Sequence, residues 1–337
     1  MKPHEQLIAS GSPATSILLP VYNGERFLGY QLDSIFAQTD DDFELLAVDD
    51  GSNDASAAIL ADFAAREPRM RVIASDGNCG QTLRLRALVA EARGAFIAIA
   101  DQDDVWHPDR NRLLRAAIGT TALAFGPSHL IDAHGAQMGV TLLETLSLTP
   151  DPTSALRTLF KPLVSAHAAL IRRDWIDPAI LTHPLPFDWL MSALALHGPG
   201  LAYVGEARID HRIHDANQMN RAAPDTSRRL GGLRNRIAVS LRRPDQLRLW
   251  LMLDFLGRSP IDPARRRAFA TLASSCRREW FGVPSMRLAD RRLRGQLIDT
   301  LKPMAGSTDD WNAAEVEIGR ITRSLLHPGK AAGLLRS

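Results

Sequence analysis

Four short apolar runs, most of them followed by a segment with helical periodicity, occupy the first hundred residues of the chain. The apolar runs are Ser16–Pro20, Glu44–Val48, Met70–Ala74 and Ala95–Ala100. The segments between them place apolar residues at helical spacing, at Glu25–Gln38, Ala55–Arg66 and Gln81–Ala92. Because strands alternate with helices, this part of the chain is predicted to form an α/β fold, with a mostly parallel sheet and helices on both of its faces.

Polar residues follow every one of these predicted strands. The clusters are Tyr22-Asn23, Asp49-Asp50, Asn78-Cys79-Gly80 and Asp101-Gln102-Asp103-Asp104. In open sheets of this kind, ligands bind beyond the carboxyl ends of the strands, so the four clusters predict a binding site at one edge of the sheet. The first strand is not followed by a GxGxxG motif, and no GxxxxGK[ST] motif occurs, which argues against a dinucleotide-binding domain and excludes a P-loop.

The fourth cluster places three carboxylates, those of Asp101, Asp103 and Asp104, at the end of one strand. Carboxylates this close repel one another unless a positive charge lies between them. A hard divalent cation such as Mg²⁺ or Mn²⁺ suits them, since it takes oxygen ligands and bridges to phosphates. The alternative is an acidic turn ahead of a helix whose first residue is Pro108.

Composition describes a globular chain with an uneven distribution of charge. Hydrophobic residues make up 45% and charged residues 23% of 337 residues, and no apolar run reaches the length of a membrane span. The polar N-terminus lacks the apolar region of a signal peptide, and the two cysteines fit a reducing cytosol. Residues 1–220 carry a net charge of −10 and residues 221–337 a net charge of +12. We therefore divide the chain into a flexible leader (1–15), a catalytic domain (16–220) and a basic, mainly helical region (221–337).

The remaining segments of the catalytic domain give weaker signals. Val164–Ile171, Leu201–Val204 and Ala207–Ile213 are predicted strands, and the segment Pro184–Trp189 is predicted to lead into a helix that runs to about His197. In the basic region, Arg and Leu recur at helical spacing. That pattern fits either a helix on an anionic membrane surface or an ordinary helical bundle with Arg-rich outer faces. Aromatic residues are too sparse there to favour nucleic-acid binding.

Several motifs, in this order and at this spacing, resemble family 2 glycosyltransferases of the GT-A fold, a Rossmann-like fold. They are Leu19-Pro20-Val21-Tyr22-Asn23-Gly24, Gln31-Leu32-Asp33-Ser34-Ile35, Val48-Asp49-Asp50-Gly51-Ser52-Asn53-Asp54, and Asp101-Gln102-Asp103-Asp104-Val105-Trp106. A weaker match extends to Phe187-Asp188-Trp189 and to the stretch from Arg212 to Asn217. The resemblance is greatest to the rhamnosyltransferase-like members that build bacterial surface polysaccharides.

The resemblance implies a nucleotide-diphospho-sugar donor, a divalent metal (Mg²⁺ or Mn²⁺) and inversion at the anomeric carbon. Carried over by position, Pro20 and Tyr22 line the nucleobase, and Asp49 or Asp50 binds it. Asp101 faces the ribose and the diphosphate. Asp103 is the principal metal ligand, joined by Asp101 and His214. The other donor-site residues are Asn23, Asn78, Gln102, Arg212 and His214, with Arg212 and His214 meeting the diphosphate from one face of a strand.

Inversion requires a base on the acceptor side, and the resemblance implies Asp188. Its apolar neighbours Phe187 and Trp189 favour a raised carboxylate pKa, which strengthens a base. The alternative is that Asp188 simply caps its helix. If Asp188 is misaligned with the family motif, Glu206 and Asp210 are the next candidates for the base. A zinc site at His211 and His214 is disfavoured because no further histidine or cysteine lies close in sequence. For His167 an acceptor contact is the only functional interpretation.

These observations together predict an inverting, metal-dependent glycosyltransferase that acts on a saccharide or a lipid-linked acceptor. The sugar suggested by the resemblance is rhamnose. The predicted location is the cytoplasm, with the basic region in peripheral contact with the inner face of the membrane. Two alternatives remain at this point: a nucleotidyltransferase, and a catalytically silent scaffold or polysaccharide-binding homologue.

Overall fold

The computed structural model describes residues 11–146, 148–151, 153–176, 180–215, 244–281 and 286–323. The chain forms two compact units. The first comprises residues 1–150, 163–183 and 199–223, and the second comprises residues 151–162, 184–198 and 224–337. Asn217, the segment Arg234–Arg243 and the predicted boundary at residues 220 and 221 lie outside the described residues, as does most of the predicted leader.

The first unit is built on a seven-stranded sheet in the order β10-β6-β9-β4-β1-β2-β3. Its strands are β1 (Thr15–Val21), β2 (Phe43–Asp49), β3 (Met70–Val72), β4 (Phe96–Ile99), β6 (Leu123–Phe125), β9 (Ala169–Arg172) and β10 (Leu201–Tyr203). Neighbouring strands are parallel except at β9, which is antiparallel to both β4 and β6. Strand β1 is buried along its whole length, as expected for a central strand covered on both faces. The predicted mostly parallel α/β sheet is confirmed.

Three helices of this unit, α1, α2 and α4, begin later than the sequence pattern predicts, while α3 begins at Gln81 as predicted. They are α1 (Leu28–Phe36), α2 (Ser56–Arg66), α3 (Gln81–Glu91), α4 (Arg110–Ile118) and the short α5 (Leu142–Thr145). Helix α1 begins at Leu28 because Asn23 has a positive φ of 47° and Gly24 starts a turn ahead of the helix. The prediction that Pro108 is the first residue of α4 was wrong. Its carbonyl accepts a hydrogen bond from the Thr39 N–H, which keeps it outside the helix.

A second, four-stranded sheet has the order β5-β11-β7-β8. Its strands are β5 (Val105–Trp106), β7 (Ser128–Ile131), β8 (Gln137–Thr141) and β11 (Ile209–Arg212). Strand β11 is antiparallel to β5 and parallel to β7. Since β5 directly follows Asp104, this pairing brings residues near position 210 beside the acidic cluster.

Three predicted strands are shorter in the structure. Residues Ala166–Ala168 form a 3₁₀ turn, so β9 begins only at Ala169. Strand β10 ends at Tyr203 and β11 ends at Arg212, which leaves His214 beyond its strand. The argument that Arg212 and His214 share one face of a strand was therefore wrong.

The second unit is helical. It contains α6 (Phe187–His197), α7 (Pro244–Leu256), α8 (Pro263–Phe281), α9 (Met286–Leu301) and α10 (Thr308–Arg323). Every residue of α6 from Trp189 to His197 is buried, so this helix lies inside the unit. The Trp189 indole N–H donates to the Thr158 carbonyl, and the Asp310 carboxylate accepts from the Leu156 and Arg157 amides. None of the helices in the described ranges is long and apolar enough to cross a membrane.

Candidate active site

The loops that follow β1, β2 and β4 meet at one edge of the main sheet, because these three strands are adjacent and parallel. The Gln102 side chain connects two of the loops. Its Oε1 accepts from the Tyr22 N–H at 2.8 Å and its Nε2 donates to the Tyr22 carbonyl at 3.1 Å. Gly24 makes room for this contact, since a Cβ there would lie 2.7 Å from Gln102 Oε1. Tyr22 itself is 41% exposed at this edge, and Pro20 is buried in β1.

The loop after β1 is held against the loop after β2. The Asn23 N–H donates to Ser52 Oγ at 2.9 Å, and Asn23 Oδ1 accepts from the Asn53 N–H at 2.8 Å. The Asp49 carboxylate accepts from the N–H and the hydroxyl of Ser52 and is partly exposed. Asn23 therefore acts in the backbone turn, and Asp49 lies at the edge of the site.

Asp50 is buried and fully engaged. Its carboxylate accepts from the Cys79 N–H and the Gly80 N–H, both at 2.8 Å, and from Arg84 Nε at 2.7 Å. Burial alone would raise the pKa of Asp50, but these three hydrogen bonds outweigh it and hold that pKa below its usual range. Asp50 therefore anchors the loop that carries the exposed Asn78, and of the two candidates for a contact with the nucleobase only Asp49 is partly exposed.

Each carboxylate of the acidic cluster pairs with a different histidine. Asp101 Oδ2 lies 3.2 Å from His167 Nδ1, Asp103 Oδ2 lies 2.9 Å from His214 Nε2, and Asp104 Oδ1 lies 2.8 Å from His211 Nδ1. The exposed fraction of the carboxylate side chains falls from 28% at Asp101 through 14% at Asp103 to 0% at Asp104. The sequence therefore predicted the cluster, while the structure adds a histidine to every carboxylate.

Arg212 holds the backbone of the cluster. Its Nε donates to the Asp103 carbonyl at 3.0 Å, and its backbone N–H donates to Asp104 Oδ1 at 3.2 Å. The guanidinium lies over the Phe27 ring, which the His214 ring also contacts. Since Arg212 is buried, these contacts show it first as a structural support of residues 103 and 104.

Burial and neighbouring charges shift the pKa of Asp101 and that of Asp103 in opposite directions. Burial raises the pKa of Asp101, but the hydrogen bond and the charge of His167 outweigh it and bring that pKa below its usual range. Burial and the neighbouring charges of Asp101 and Asp104 raise the pKa of Asp103. Burial lowers the pKa of His211, but the charge of Asp104 and its hydrogen bond raise it to about 9. His211 is therefore cationic at neutral pH and supplies part of the positive charge that the cluster requires.

The donor set suits a divalent metal. Asp101, Asp104, His167 and His211 each offer one ligand atom, and these four atoms all lie within 4.8 Å of one another, although His211 would have to lose its proton to bind a metal. Asp104 Oδ2 and His211 Nε2 are buried and make no hydrogen bond within the described part of the chain. Mixed carboxylate and imidazole ligands suit Mn²⁺ or another transition metal better than Mg²⁺. No further histidine is close to His211 in sequence, but the fold brings His167 next to it, and the two rings stack with centroids 4.6 Å apart.

Sequence reasoning missed the role of two groups at this site. His167 was considered only for an acceptor contact, yet it bonds Asp101 and the Ser128 hydroxyl. The Arg110 Nη2 donates to the carbonyls of His167 and Ala169 and fixes the turn that carries His167. No local pattern marks such partners. For His211 one weak signal existed, since Ile209 and Ile213 lie two positions away from it on either side, on the same face of a strand.

Asp188 belongs to the second unit and lies in the first turn of α6. The residue at the N-cap position is Pro186, so Asp188 is not the cap itself. Its carboxylate accepts from the Trp189 N–H at 2.8 Å and is half-buried. Of the two other candidates, Asp210 pairs with Arg208 at 3.0 Å, and Glu206 is exposed. The role of Asp188 as a base stays a prediction.

Comparison with known proteins shows the family. Residues 16–177 match the family described as Glycosyl transferase family 2. The chain is 33% identical over 178 residues to EpsH of Bacillus subtilis, a protein with a glycosyltransferase name, and the match covers 52% of this chain and 51% of EpsH. It is 34% identical over 137 residues to the succinoglycan biosynthesis protein ExoO of Rhizobium meliloti, with 40% of this chain and 35% of ExoO covered. The chain thus spans about half the length of EpsH and less of ExoO.

A third relative and one solved structure complete the comparison. An uncharacterized glycosyltransferase of Nostoc sp. is 32% identical over 225 residues, and the match covers 63% of this chain and 68% of the relative. The crystal structure of S. aureus TarS 1–349 in complex with UDP-GlcNAc is similar in fold, with a TM-score of 0.55 and 13% identity over 94% of this chain and 92% of that chain. The sequence matches and the shared fold lead to one conclusion: the chain belongs to family 2 of the glycosyltransferases.

Proposed function

We propose that the protein transfers a sugar, with inversion, from a nucleotide-diphospho-sugar to a saccharide or lipid-linked acceptor in cell-surface polysaccharide synthesis. One observation carries the proposal. The Asp101–Asp104 segment lies at the carboxyl edge of the sheet, where its three carboxylates meet three histidines and the exposed Tyr22 lies on a neighbouring loop. The relation to ExoO supports polysaccharide synthesis, and TarS supports a nucleotide-sugar donor.

On the donor side, Pro20 and Tyr22 line the nucleobase, whose face stacks on the tyrosine ring. Asp49 accepts a hydrogen bond from the base, and Asn23 and Asn78 shape the surrounding loops. Asp101 holds the ribose and the diphosphate, and Gln102 keeps Tyr22 in place through its two backbone contacts. Arg212 and His214 complete the diphosphate end of the site.

Asp103, Asp101 and His214 would hold a divalent metal, Mg²⁺ or Mn²⁺. When bound, such an ion supplies positive charge to the departing nucleoside diphosphate. Asp103 and His214 lie 2.9 Å apart, so two of these would-be ligands are already side by side. Asp104 and His211 lie deeper in the fold and support the segment from below.

On the acceptor side, Asp188 takes the proton from the attacking hydroxyl. The oxygen then bonds to the anomeric carbon on the face opposite the nucleotide, the bond from that carbon to the diphosphate oxygen breaks, and the configuration inverts. The apolar residues beside Asp188 favour this role, since they weaken the hydration of a carboxylate. We place the reaction in the cytoplasm, against the inner face of the membrane, on the basis of the free cysteines and the basic C-terminal region.

The test is a titration of donors. Isothermal calorimetry with dTDP-rhamnose, UDP-GlcNAc and a GDP-sugar, each with and without Mn²⁺, should show metal-dependent binding of at least one of them. The rhamnose donor is tested first because of the resemblance to rhamnosyltransferases. Absence of binding by every nucleotide-sugar and by free UDP and dTDP would overturn the proposal and favour a silent scaffold. Release of pyrophosphate from a nucleoside triphosphate and a sugar phosphate would favour a nucleotidyltransferase.

A further inference from the structure

We propose that His167 is a positioning residue that orients Asp101 for the donor, and that Ser128 holds the His167 ring in the orientation that contacts Asp101. This inference rests on the proposed function, in which Asp101 contacts the ribose and the diphosphate. It assigns a role on the donor side to His167 and to Ser128, and the sequence indicated no donor-side role for either of them.

The three side chains form a continuous line of hydrogen bonds. Ser128 Oγ lies 2.9 Å from His167 Nε2, and His167 Nδ1 lies 3.2 Å from Asp101 Oδ2. The order of hydroxyl, imidazole and carboxylate is that of a hydrolase triad. Here, however, the serine is the buried end, at 5% exposure, and no substrate can reach it. The accessible end is Asp101, so the line can only act on that carboxylate.

Further contacts hold both the His167 ring and the backbone that carries it. The ring stacks on the His211 ring, with centroids 4.6 Å apart and an angle of 7° between the planes. The His167 carbonyl accepts from Arg110 Nη2 at 2.9 Å, and the same nitrogen donates to the Ala169 carbonyl. The Arg110 guanidinium is in turn packed on the Trp106 ring. The position of His167 is therefore set by the fold, independently of any ligand.

Ser128 holds the far side of the ring. Its Oγ lies 2.9 Å from Nε2, while Nδ1 on the other side of the ring lies 3.2 Å from Asp101 Oδ2. Because the two contacts are made by different nitrogens of one rigid ring, the Ser128 contact keeps Nδ1 facing Asp101. Without it, the ring turns more readily about its bond to Cβ, and the contact with Asp101 weakens.

Two substitutions at position 167 separate positioning from packing. In His167→Asn the amide nitrogen lies near the place of Nδ1, so it can still donate to Asp101 but loses Ser128. In His167→Gln the amide reaches the place of Nε2, so it keeps Ser128 but loses Asp101. Calorimetry with UDP and dTDP in the presence of Mn²⁺, together with KM and kcat for the donor, provides the readouts.

We expect His167→Gln to weaken nucleotide binding and raise the donor KM roughly 10-fold to 100-fold, the scale of a lost hydrogen bond to a charged group. The kcat should change less than KM, because the contact already exists before the transition state. His167→Asn should stay within about threefold of wild type. Equal losses in both variants, or a loss confined to kcat, would overturn the proposal. So would loss of Mn²⁺ binding in both variants without nucleotide, since His167 would then be a metal ligand.

A variant at position 128 keeps the proposal testable even if the two His167 variants do not fold. Ser128→Ala removes only a hydroxyl and should weaken nucleotide binding by roughly 3-fold to 10-fold, because it removes one of the contacts that keep the His167 ring facing Asp101. The matched control is His129→Gln, at the next position of β7, which should bind nucleotide like wild type. Unchanged binding in Ser128→Ala would contradict the proposal. If the wild-type chain binds no nucleotide diphosphate at all, the proposed function fails, and this inference fails with it.

Discussion

At the scale of single residues, neighbours in the acidic segment have different tasks. The Asp103 carboxylate is 14% exposed and faces the site, whereas the Asp104 carboxylate is fully buried and pairs with the cationic His211. We therefore treat the buried Asp104 carboxylate as a structural element and the partly exposed Asp103 carboxylate as the one that meets a ligand. The two residues should therefore respond differently to the same substitution.

Asp103→Ala should reduce turnover by roughly 10³-fold or more, because a metal bridge contributes several kcal/mol to the transition state. Its free energy of unfolding should stay near that of wild type, since one of three clustered carboxylates is removed. Asp104→Ala, the matched variant one position away, should lower the free energy of unfolding by about 3 to 5 kcal/mol, because it leaves a buried charge without its partner. Urea denaturation and a donor-turnover assay measure both. Near-normal turnover in Asp103→Ala would show that the segment is not a metal site.

Asp188→Asn should lower sugar transfer by roughly 10²-fold to 10⁴-fold, the usual contribution of a positioned base. Donor binding should not change, because this residue serves the acceptor. The amide oxygen can still accept from the Trp189 N–H, so the free energy of unfolding should stay within about 0.5 kcal/mol. Should the variant keep full turnover at saturating acceptor, the base assignment is withdrawn, and Glu206 and Asp210 are tested in the same way.

At the scale of secondary-structure elements, the pairing of β11 with β5 and β7 is what completes the site. It carries His211 and Arg212 to the acidic segment, and the 3₁₀ turn before β9 carries His167. In the second unit, nearly all of α6 is buried, including the histidine in its last turn. His197 lies there at 1% exposure against the Phe269 ring.

Burial, and next to it the charge of Arg265, lowers the pKa of His197 to about 3. An unfolded histidine has a pKa of about 6.5, so between these values the unfolded chain binds a proton that the folded chain does not. Protons therefore favour unfolding, and stability is lost as the pH falls from about 6.5 toward about 3. Relative to His197→Gln, the wild type should lose about 2 kcal/mol more between pH 6.5 and pH 5. Urea denaturation at several pH values checks this, and parallel pH profiles in the two proteins would contradict it.

At the scale of the whole molecule, the net charge of +2 hides an acidic first part and a basic second part. The membrane interpretation rests on the recurrence of Arg and Leu at helical spacing in the basic region. In α7 the apolar residues Leu249, Met252, Leu253 and Leu256 are already buried in the fold, so they do not form an apolar face for a membrane. We therefore expect a membrane contact of the described helices to be electrostatic, through exposed arginines such as Arg266 and Arg267 of α8.

The full chain should bind vesicles that contain anionic phosphatidylglycerol, should not bind neutral vesicles, and should dissociate as salt is raised, because exposed arginines supply about 1 kcal/mol each near such a surface. The double variant Arg266→Glu and Arg267→Glu should bind more weakly and fold normally. Sedimentation with vesicles measures both. Equal binding to neutral and anionic vesicles, or none to either, would refute the membrane contact and leave a helical bundle.

The sequence alone was sufficient to predict the fold class, the succession of the first four strands along the chain, and the acidic cluster. Apolar periodicity and strand-end polarity are local properties, and the parallel sheet then collects the strand ends at one edge. Local pattern also predicted the helix that carries Asp188 and its end at His197, whereas its start at Phe187 came from the structure. The ends of helices and strands were less predictable, because hydrogen bonds to distant partners decide where an element begins or ends. The hydrogen bond from the Thr39 N–H to the Pro108 carbonyl, ahead of α4, is an example.

Only the tertiary structure decided how the cluster is held. The histidines that pair with Asp101, Asp103 and Asp104 lie 66, 111 and 107 residues further along the chain. No local pattern relates residues at such separations, since they meet only when β9 and β11 are in place. The antiparallel β9, the burial of Asp50 against Arg84 and the occupied apolar face of α7 have the same origin. Each depends on which elements pack together, and packing is settled by the whole chain.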